Sequence, residues 1–551
     1  MQHSWTYLYE YYFAGGLLCF ILDSLASIII AAVISFMPIL LFGCLQYAPI
    51  KSVTQINELI VPVSEGFLRA NIFIKTCSII FSVYTLFLVF QFLSNLPKFI
   101  RIHFYYKKKL GIPDRELTAI IWNEVVESVL IHEPSESRTM LSVAQEILRN
   151  ENYLIALISD PSILTWKVPF LKKRTRIPMS RFFFYTFHLA LSGIVLDSHG
   201  GSIVNGVNTI HNRKTAQRLK TRFRLFGLFM FILTPFIFAF QLLYLIFHYA
   251  QAIKNSPGTL SMRRWTPLSK WLIREYNELP HLLAERIRKS YLFANFYMDL
   301  FPSPLVQPLV RVGSFLSGAL LAIFFIFGLL TDSGFLLTIP ILGNKSLAWL
   351  MSIIATIYGV CRMMIPNEER PFDPDESLEQ VEKNIHYDFR DENNSARSWA
   401  TYDKLSEFFQ PLFLHLLFEI LSVAFNPFLF GVILPEKAQS IVDFIERNSI
   451  NVPEIGWICA FSGFDGNEKI QGQNPEQNMK LKRSMAFFNS TIGRQASLID
   501  FNSSLIVADE SLPMLTRSSF SNSNELLNEL NASIDSSPPC NPNCENDSFI
   551  V

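Results

Sequence analysis

Long apolar runs that contain prolines constrain this chain more than any other feature. About 20 apolar residues, at 1.5 Å of helix rise each, match a bilayer core roughly 30 Å thick. Six runs in the 551-residue chain approach or exceed that length, and charged residues make up only 17% of the sequence. The runs therefore predict an integral membrane protein with several helices in the bilayer.

Four of the runs predict ordinary transmembrane helices, and they cover residues 17–45, 72–96, 313–331 and 347–365. The first has no basic leader and no small-residue cleavage site, so it is predicted to be an anchor and not a signal peptide. Asp23 and Lys75 stand near the ends of their runs, where a charged group reaches the headgroups.

Two further runs, 225–250 and 408–434, contain the breakers Pro235 and Pro427. Proline inside a helix removes a donor and costs about 3 kcal/mol. Basic residues flank the first run on both sides, whereas the connections 47–71 and 332–346 carry few. Because short loops rich in Lys and Arg stay in the cytosol, we predict that both runs are re-entrant hairpins and that the two poor connections are lumenal.

The predicted fold class is an all-α polytopic membrane protein with four transmembrane helices, two re-entrant hairpins, cytosolic helical parts and a small C-terminal cytosolic subdomain. Pro113 and Asp114 predict a helix start, and Pro280 predicts a break between two amphipathic helices. The predicted segments are a short cytosolic N-terminus (1–16), the first transmembrane pair (17–96), a cytosolic helical segment (97–224), a hairpin (225–250), interfacial helices (251–312), the second transmembrane pair (313–365), a cytosolic segment (366–407), a second hairpin (408–434), the C-terminal subdomain with a helix and short β-like runs (435–470), and a disordered tail rich in Ser and Asn (471–551).

Motifs for catalysis, nucleotides or metals are missing from the sequence. There is no G-x-x-x-x-G-K-[ST] loop, no G-x-S-x-G elbow and no H-E-x-x-H pair. His415 fits either a membrane acyltransferase or a packing role, and the CNPNC pair at 540–544 lacks the further ligands of a zinc site. We expect a non-enzyme without cofactor or metal, and the formal net charge of +0 gives no reason to expect nucleic acid.

Glu419 is the most informative single residue. A carboxylate within an apolar run costs roughly 2.5 to 3.5 kcal/mol unless it faces a partner or water. It is interpreted either as a buried pair or protonated acid in a helix bundle, or as the lining of a polar cavity. The polar residues at 274–278 likewise fit either a solvated helix face or a groove.

Several segments together carry a family resemblance. EILRNENYLIALISD, IREYNELPHLLAERI, FPSPL, MIPNEERPFDPDESLEQVEKNIHY and AQSIVDFIERNSINVPEIGWICAF stand in this order, after YYFAGGLLCFIL near the start. They resemble the autophagy-related protein 9 family over nearly the whole chain to about residue 490. Pro280 departs from the family pattern, and the extension before the first apolar run is short.

This resemblance implies a domain-exchanged homotrimer that scrambles phospholipids without an energy source. It also implies small vesicles derived from Golgi and endosomes, the preautophagosomal structure, cytosolic termini, and as partners membrane phospholipids, the lipid carrier autophagy-related protein 2 and the autophagy initiation machinery. An ion channel or transporter, or a vesicle scaffold without transport, are the alternatives. Small residues in GSFLSGALLA at 313–322 favour close helix packing in an oligomer.

Charged and polar residues beside the two breaker-containing runs are the predicted lining of the lipid path. A groove of this kind lets a headgroup cross in water, whereas hydrocarbon would impose a penalty on the order of tens of kcal/mol per charge. Asn344 in the sequon Asn344-Lys345-Ser346 is a candidate glycosylation acceptor. The candidate lining residues are Arg274, Glu275, Asn277, Glu278, Arg311 and Glu419.

Overall fold

The structure is a computed structural model, and it is mostly helical. Residues 1–485 form one compact unit, and of the second unit, 486–551, only residues 486–491 are described. The described residues are 4–45, 60–133, 138–167, 174–196, 213–255, 262–301, 306–330, 340–342, 345–363, 365, 373–390, 395–453, 455–464 and 477–491.

Helices account for most of the described chain. In chain order they are α1 (Trp5–Phe13), α2 (Leu17–Ile39), α3 (Val63–Arg69), α4 (Ile72–Tyr105), α5 (Trp122–His132), α6 (Met140–Ile147), α7 (Arg149–Ser159), α8 (Arg181–Leu191), α9 (Arg213–Asn255), α10 (Pro267–Ile273), α11 (Pro280–Asp299), α12 (Val306–Leu330), α13 (Leu347–Met363), α14 (Pro374–Ile385), α15 (Trp399–Phe408), α16 (Leu412–Phe428), α17 (Leu434–Arg447) and α18 (477–491). One-turn π-helical stretches follow α2, α4 and α16 at Leu40–Cys44, Tyr106–Leu110 and Leu429–Ile433.

Short antiparallel strand pairs join segments of the described chain. The pairs are β1 (Thr165–Lys167) with β2 (Arg174–Arg176), β3 (Arg263–Trp265) with β6 (Phe409–Pro411), β4 (Pro340–Leu342) with β5 (Lys345–Ser346), and β7 (Ser449–Val452) with β8 (Gly456–Cys459). The helix α17 followed by β7 and β8 confirms the predicted order of elements in the C-terminal subdomain.

Five described helices are long and apolar enough to cross a membrane, and they cover Leu17–Cys44, Ile72–Leu110, Arg213–Tyr249, Pro308–Ile326 and Leu412–Arg447. The shorter helix α13 is also apolar. Each of the four predicted transmembrane runs therefore contains an apolar helix. Helix α4 continues past Pro97, so its helical structure extends well beyond the predicted end at residue 96.

The two predicted hairpins are wrong as local structure. Helix α9 runs without interruption through Pro235, and α16 continues through Pro427 and the π-helical stretch into α17. The φ angle that proline fixes is compatible with a helix, so the lost hydrogen bond weakens or kinks the helix without reversing the chain. Residues 225–250 of the first run and 412–434 of the second are consequently continuous helical segments, and residues 409–411 of the second run form strand β6.

Helices α9 and α16 instead form an antiparallel pair with each other. A Cβ placed on Gly227 of α9 would lie only 2.5 Å from the backbone nitrogen of Gly431, so the two backbones touch there. At the other end, Leu412 donates its N–H to the carbonyl of Met262 at 2.7 Å, next to the β3–β6 ribbon. Gly227 is near the start of α9 and Gly431 follows the end of α16, whereas Met262 follows the end of α9 and Leu412 begins α16. The two helices therefore run in opposite directions.

Segments from before and after α9 share one hydrophobic core. Tyr153 of α7, Phe183 of α8 and Phe223 of α9 are buried together with Tyr276, which follows α10, and with Phe461 near the end of the C-terminal subdomain. The core therefore joins segments that are far apart in sequence. It positions the loop between α10 and α11, where most of the predicted site residues lie.

Two local predictions need correction. The helix expected to begin at Asp114 begins at Trp122, because the Asp114 carboxylate accepts hydrogen bonds from Tyr11 and from the N–H of Leu17 and so holds the N-terminal segment. The tail expected to be disordered from residue 471 contains helix α18, and residues 492–551 lie outside the described residues. The predicted break at Pro280 is confirmed, with Pro280 as the first residue of α11.

Candidate functional site

The structure places the predicted site residues at separate locations. Arg274, Glu275, Asn277 and Glu278 lie together in the loop between α10 and α11, and they are almost completely buried. Glu419 lies on α16 and Arg311 on an exposed part of α12. Asn344 lies outside the described residues.

Asn277 lies at the centre of the buried loop. Its φ of 60° is in the left-handed region, which asparagine tolerates better than most residues. Asn277 and Asn152 exchange two hydrogen bonds, one from the Asn152 amide to Oδ1 of Asn277 at 2.9 Å and one from the Asn277 N–H at 3.0 Å. The Asn277 amide also donates to the Ser462 carbonyl at 2.8 Å. One side chain thus links α7, the loop and the C-terminal subdomain.

Two arginines form ion pairs that connect the loop to its neighbouring helices. Arg286 of α11 binds both carboxylate oxygens of Glu278, through Nε at 2.6 Å and Nη2 at 2.8 Å, and this bidentate geometry is the strongest form of the pair. Arg274 pairs with Glu151 of α7 and donates to the Glu278 carbonyl at 3.2 Å. These pairs hold α7, the loop and α11 together.

Glu275 faces the last described helix. Its Oε2 accepts a hydrogen bond from Ser484 of α18 at 2.6 Å, and its Oε1 lies 3.5 Å from Nδ1 of His386. Burial raises the pKa of Glu275, but the His386 hydrogen bond and the charge of Lys480 outweigh it and hold the pKa below its ordinary value. Burial also lowers the pKa of Lys480 to about 8, against the opposing effect of Glu275.

The side chains of this buried polar cluster bond to other protein groups. Sequence reasoning missed several of its members, because Asn152 lies in a helix without a polar pattern and Lys480 and Ser484 lie in the predicted tail. Arg286 was detectable in principle, since it lies two helical turns beyond Glu278 on an amphipathic segment. The cluster is a junction that fixes the relative positions of α7, α10, α11 and α18.

A second polar feature runs along α16. His415, Glu419, Ser422 and Asn426 recur at spacings of four, three and four residues, so they occupy one face of the helix. All four are buried, and Oε1 of Glu419 accepts the N–H of Arg181 at 3.0 Å. Sequence analysis singled out His415 and Glu419 and missed the other two, although the helical spacing was the signal that connects them.

Asn426 is the unusual member of this polar stripe, as we call His415, Glu419, Ser422 and Asn426. Its side chain is 0% exposed, and within the described part of the chain neither its amide nitrogen nor its oxygen has a hydrogen-bond partner. An unsatisfied buried amide costs about 1 to 3 kcal/mol. The site is therefore one where a water molecule or a polar ligand group would be stabilising.

Metal chemistry has no support in the described residues, where no group of three or more His, Cys, Asp and Glu side chains is placed to hold an ion. Buried Cys459 is a free thiol whose pKa is raised to about 12 by burial, which disfavours the reactive thiolate.

Comparisons with known proteins agree with one family. An autophagy-related protein 9 from Dictyostelium discoideum is 29% identical over 427 residues, covering 77% of this chain and 60% of the relative. One from Coccidioides immitis is 27% identical over 501 residues, covering 87% of this chain and 53% of the relative. The chain thus spans between half and two thirds of the length of these relatives.

The same fold occurs in a solved structure. The cryo-EM structure of Schizosaccharomyces pombe Atg9 matches with a TM-score of 0.61 and 24% identity, covering 84% of this chain and 98% of that one. The model of the family described as autophagy protein ATG9 matches residues 3–465, which include the buried cluster loop and the polar stripe. This match shows that the chain belongs to the ATG9 family of autophagy proteins.

Proposed function

We propose that the chain is an energy-independent phospholipid scramblase that re-equilibrates the two leaflets of autophagic membranes as they expand. The polar stripe of α16 is the observation that carries this proposal. A headgroup that crosses hydrocarbon unaided meets a prohibitive desolvation penalty, and a row of polar side chains along an apolar helix offers it hydrogen bonds instead. No nucleotide-binding loop is needed for movement down a gradient.

The lipid path is placed at the stripe and not at the buried cluster. The side chains of Glu275, Asn277 and Glu278 bond to protein partners, whereas neither polar side-chain atom of Asn426 has a partner in the described part of the chain. A water molecule or a headgroup at Asn426 would supply the missing hydrogen bonds. Arg311, exposed near the start of α12, is proposed as a cationic group that attracts phosphate at the path entrance.

The test is dithionite quenching of fluorescent phospholipid in liposomes that contain the purified protein. Replacing Glu419 and Asn426 together by leucine removes the polar contacts, and a barrier higher by about 1.4 kcal/mol slows flipping about tenfold. Leu421→Ser is the matched control, because Leu421 lies on the exposed face of the same helix. Wild-type rates in a folded Glu419→Leu, Asn426→Leu variant would move the path elsewhere.

The two alternative functions give different results in the same liposomes. An ion channel or transporter would release a trapped solute or carry current, with lipid flipping absent. A scaffold would show neither flux nor flipping, so an inactive wild-type protein would overturn the scramblase proposal itself. None of these outcomes depends on the identity of the lipid.

The remaining proposals concern the oligomeric state, the partners and the cellular location of the protein. We propose a homotrimer, with membrane phospholipids, the lipid carrier autophagy-related protein 2 and the initiation machinery as partners, on Golgi- and endosome-derived vesicles and the preautophagosomal structure. The small residues of α12 do not by themselves support the trimer, since Gly313 and Gly318 make room for Cys361 and Tyr358 of α13 in the same chain. Mass photometry in mild detergent tests the assembly.

A further inference from the structure

Helix α18 inserts polar side chains into the protein interior. Gln477, Lys480 and Ser484 recur at three- and four-residue spacing on one face, together with Leu481, and all four are buried. The segment 477–485, here called the strap, belongs to the compact unit that contains the buried polar cluster. A lysine inserted in this way is rare and must be paired by its surroundings.

The strap is held by hydrogen bonds to three parts of the body. Lys480 Nζ donates to the Ser159 hydroxyl and to the Leu272 carbonyl, both at 2.9 Å. Ser484 Oγ donates to Glu275 at 2.6 Å and accepts the N–H of Tyr276 at 3.1 Å. Leu481 and Met485 of the strap also pack against the apolar core, so specific polar partners and a small apolar contact together position the strap.

The strap follows the part of the chain that the family model matches. The family match ends at residue 465, and the strap begins twelve residues later. Because the strap lies at the end of the compact unit and is held largely by side-chain hydrogen bonds, we expect it to detach without unfolding of the body.

Ser484 is the residue of the strap at which an added negative charge would most weaken docking. It is 0% exposed, its Oγ already lies 2.6 Å from a carboxylate, and the residues before it include Lys480, Lys482 and Arg483. A phosphate carries about −1.5 to −2 charges, and beside a carboxylate it disrupts docking by repulsion and desolvation. Basic residues just before a serine are the pattern that many basic-directed protein kinases recognise.

We propose that Ser484 is a phosphorylation site for a basic-directed serine kinase and that its phosphorylation releases the strap from the cleft over Glu275 and Tyr276. In the reaction the γ-phosphoryl group of ATP is transferred to Ser484 Oγ, the bond to ADP breaks, and the hydroxyl proton passes to the kinase base. Because Ser484 is buried when docked, the kinase acts on the released strap, and the phosphate then prevents its return. The proposal goes beyond lipid scrambling and does not depend on it.

Hydrogen–deuterium exchange of the purified full chain measures the docking. In Ser484→Glu we expect exchange in residues 477–485 and in 272–278 to become about tenfold faster, which corresponds to about 1.4 kcal/mol of lost protection. Ser490→Glu is the matched control, since Ser490 is an exposed serine of the same helix. Wild-type protection in Ser484→Glu would overturn the proposal.

If Ser484→Glu raises exchange throughout the protein, the variant is destabilised as a whole and a second experiment is needed. The wild-type chain is then treated with ATP and a basic-directed kinase. We expect mass spectrometry to find phosphate on Ser484, followed by faster exchange confined to the strap and residues 272–278. A synthetic peptide of residues 477–491 shows that the chosen kinase accepts the sequence. Phosphorylation of the peptide without phosphorylation of the folded chain would contradict strap release.

Discussion

At the scale of single residues, the buried cluster depends on asparagines and arginines whose hydrogen bonds span three parts of the chain. Asn277 combines a left-handed backbone with bonds to Asn152 and Ser462. Arg286 satisfies both oxygens of Glu278. Removing one partner of such a network leaves the others buried without bonds, and that penalty exceeds the value of the bond itself.

Asn277→Ala is expected to lower stability by about 2 to 4 kcal/mol, because it leaves the Asn152 amide unsatisfied and places alanine at a left-handed position. Asn277→Gly removes the same hydrogen bonds without the backbone strain, so it should be less damaging by about 1 kcal/mol. Thermal unfolding followed by tryptophan fluorescence compares the two variants. Equal melting temperatures for Ala, Gly and wild type would show that the network contributes little.

Lys480 gives a prediction for pH. Its pKa is about 8 in the folded protein, below the ordinary value near 10.5 of an unfolded chain. The folded state therefore binds fewer protons between these two values, and the contribution of Lys480 to stability rises with pH in this window. We expect the stability of wild type relative to Lys480→Met to increase from pH 7.5 to pH 9.5.

Lys482→Met is the control for this pH series, since Lys482 is an exposed lysine two residues away. Its stability difference from wild type should stay constant over the same range. A Lys480→Met difference that is also constant would mean that the lysine titrates as it does in water. Glu275 gives a dependence of the same sign at acidic pH, because its lowered pKa stabilises the folded state at neutral pH and this contribution is lost as the pH falls below the ordinary value of 4.5.

At the scale of elements, the pairing of α9 with α16 depends on glycine. Gly227 packs against the backbone of Gly431 so closely that any side chain would collide with main-chain atoms, whereas a Cβ on Gly431 meets nothing within 4 Å. Gly227→Ala should force the helices apart and lower the melting temperature, while Gly431→Ala should be neutral or stabilising. Equal effects of the two substitutions would contradict this close contact.

The sequence predicts the existence of the apolar helices better than their connections. Apolar length and the prolines identified the regions around Pro235 and Pro427, but proline is compatible both with a turn and with a continuous helix. Tertiary packing stabilises the continuous helices, through the contact of Gly227 with Gly431 and through the β3–β6 ribbon. No pattern within either run reports a partner that lies about 200 residues away.

For the candidate site, the sequence identified several of the residues but not their surroundings in the folded protein. Charge within an apolar run identified Glu419, and the density of polar groups identified Arg274 to Glu278. Their environments were not predictable, because burial of the loop depends on Asn152 before it and on Ser484 far beyond it. A helix with a polar buried face in a Ser- and Asn-rich region also lacks the apolar periodicity on which helix prediction depends.

At the scale of the whole molecule, the shared core bears on membrane topology. The segments before α9 and after it meet in direct hydrogen bonds, such as those between Asn152 and Asn277, and in the core that contains Tyr153 and Tyr276. We propose that the two segments lie on the same side of the bilayer, because burying such ion pairs in lipid is costly. Both flanks of α9 are basic, which favours the cytosol.

Cysteine labelling of sealed vesicles with an impermeant reagent tests this topology. Met262→Cys follows α9 at an exposed position, and it should react from the cytosolic side. Val63→Cys, exposed on α3 in the predicted lumenal connection, should react only after the vesicles are opened. The parent chain measures the background from native cysteines. Labelling of Met262→Cys only from the lumen would contradict the proposal that both flanks of α9 lie on the cytosolic side.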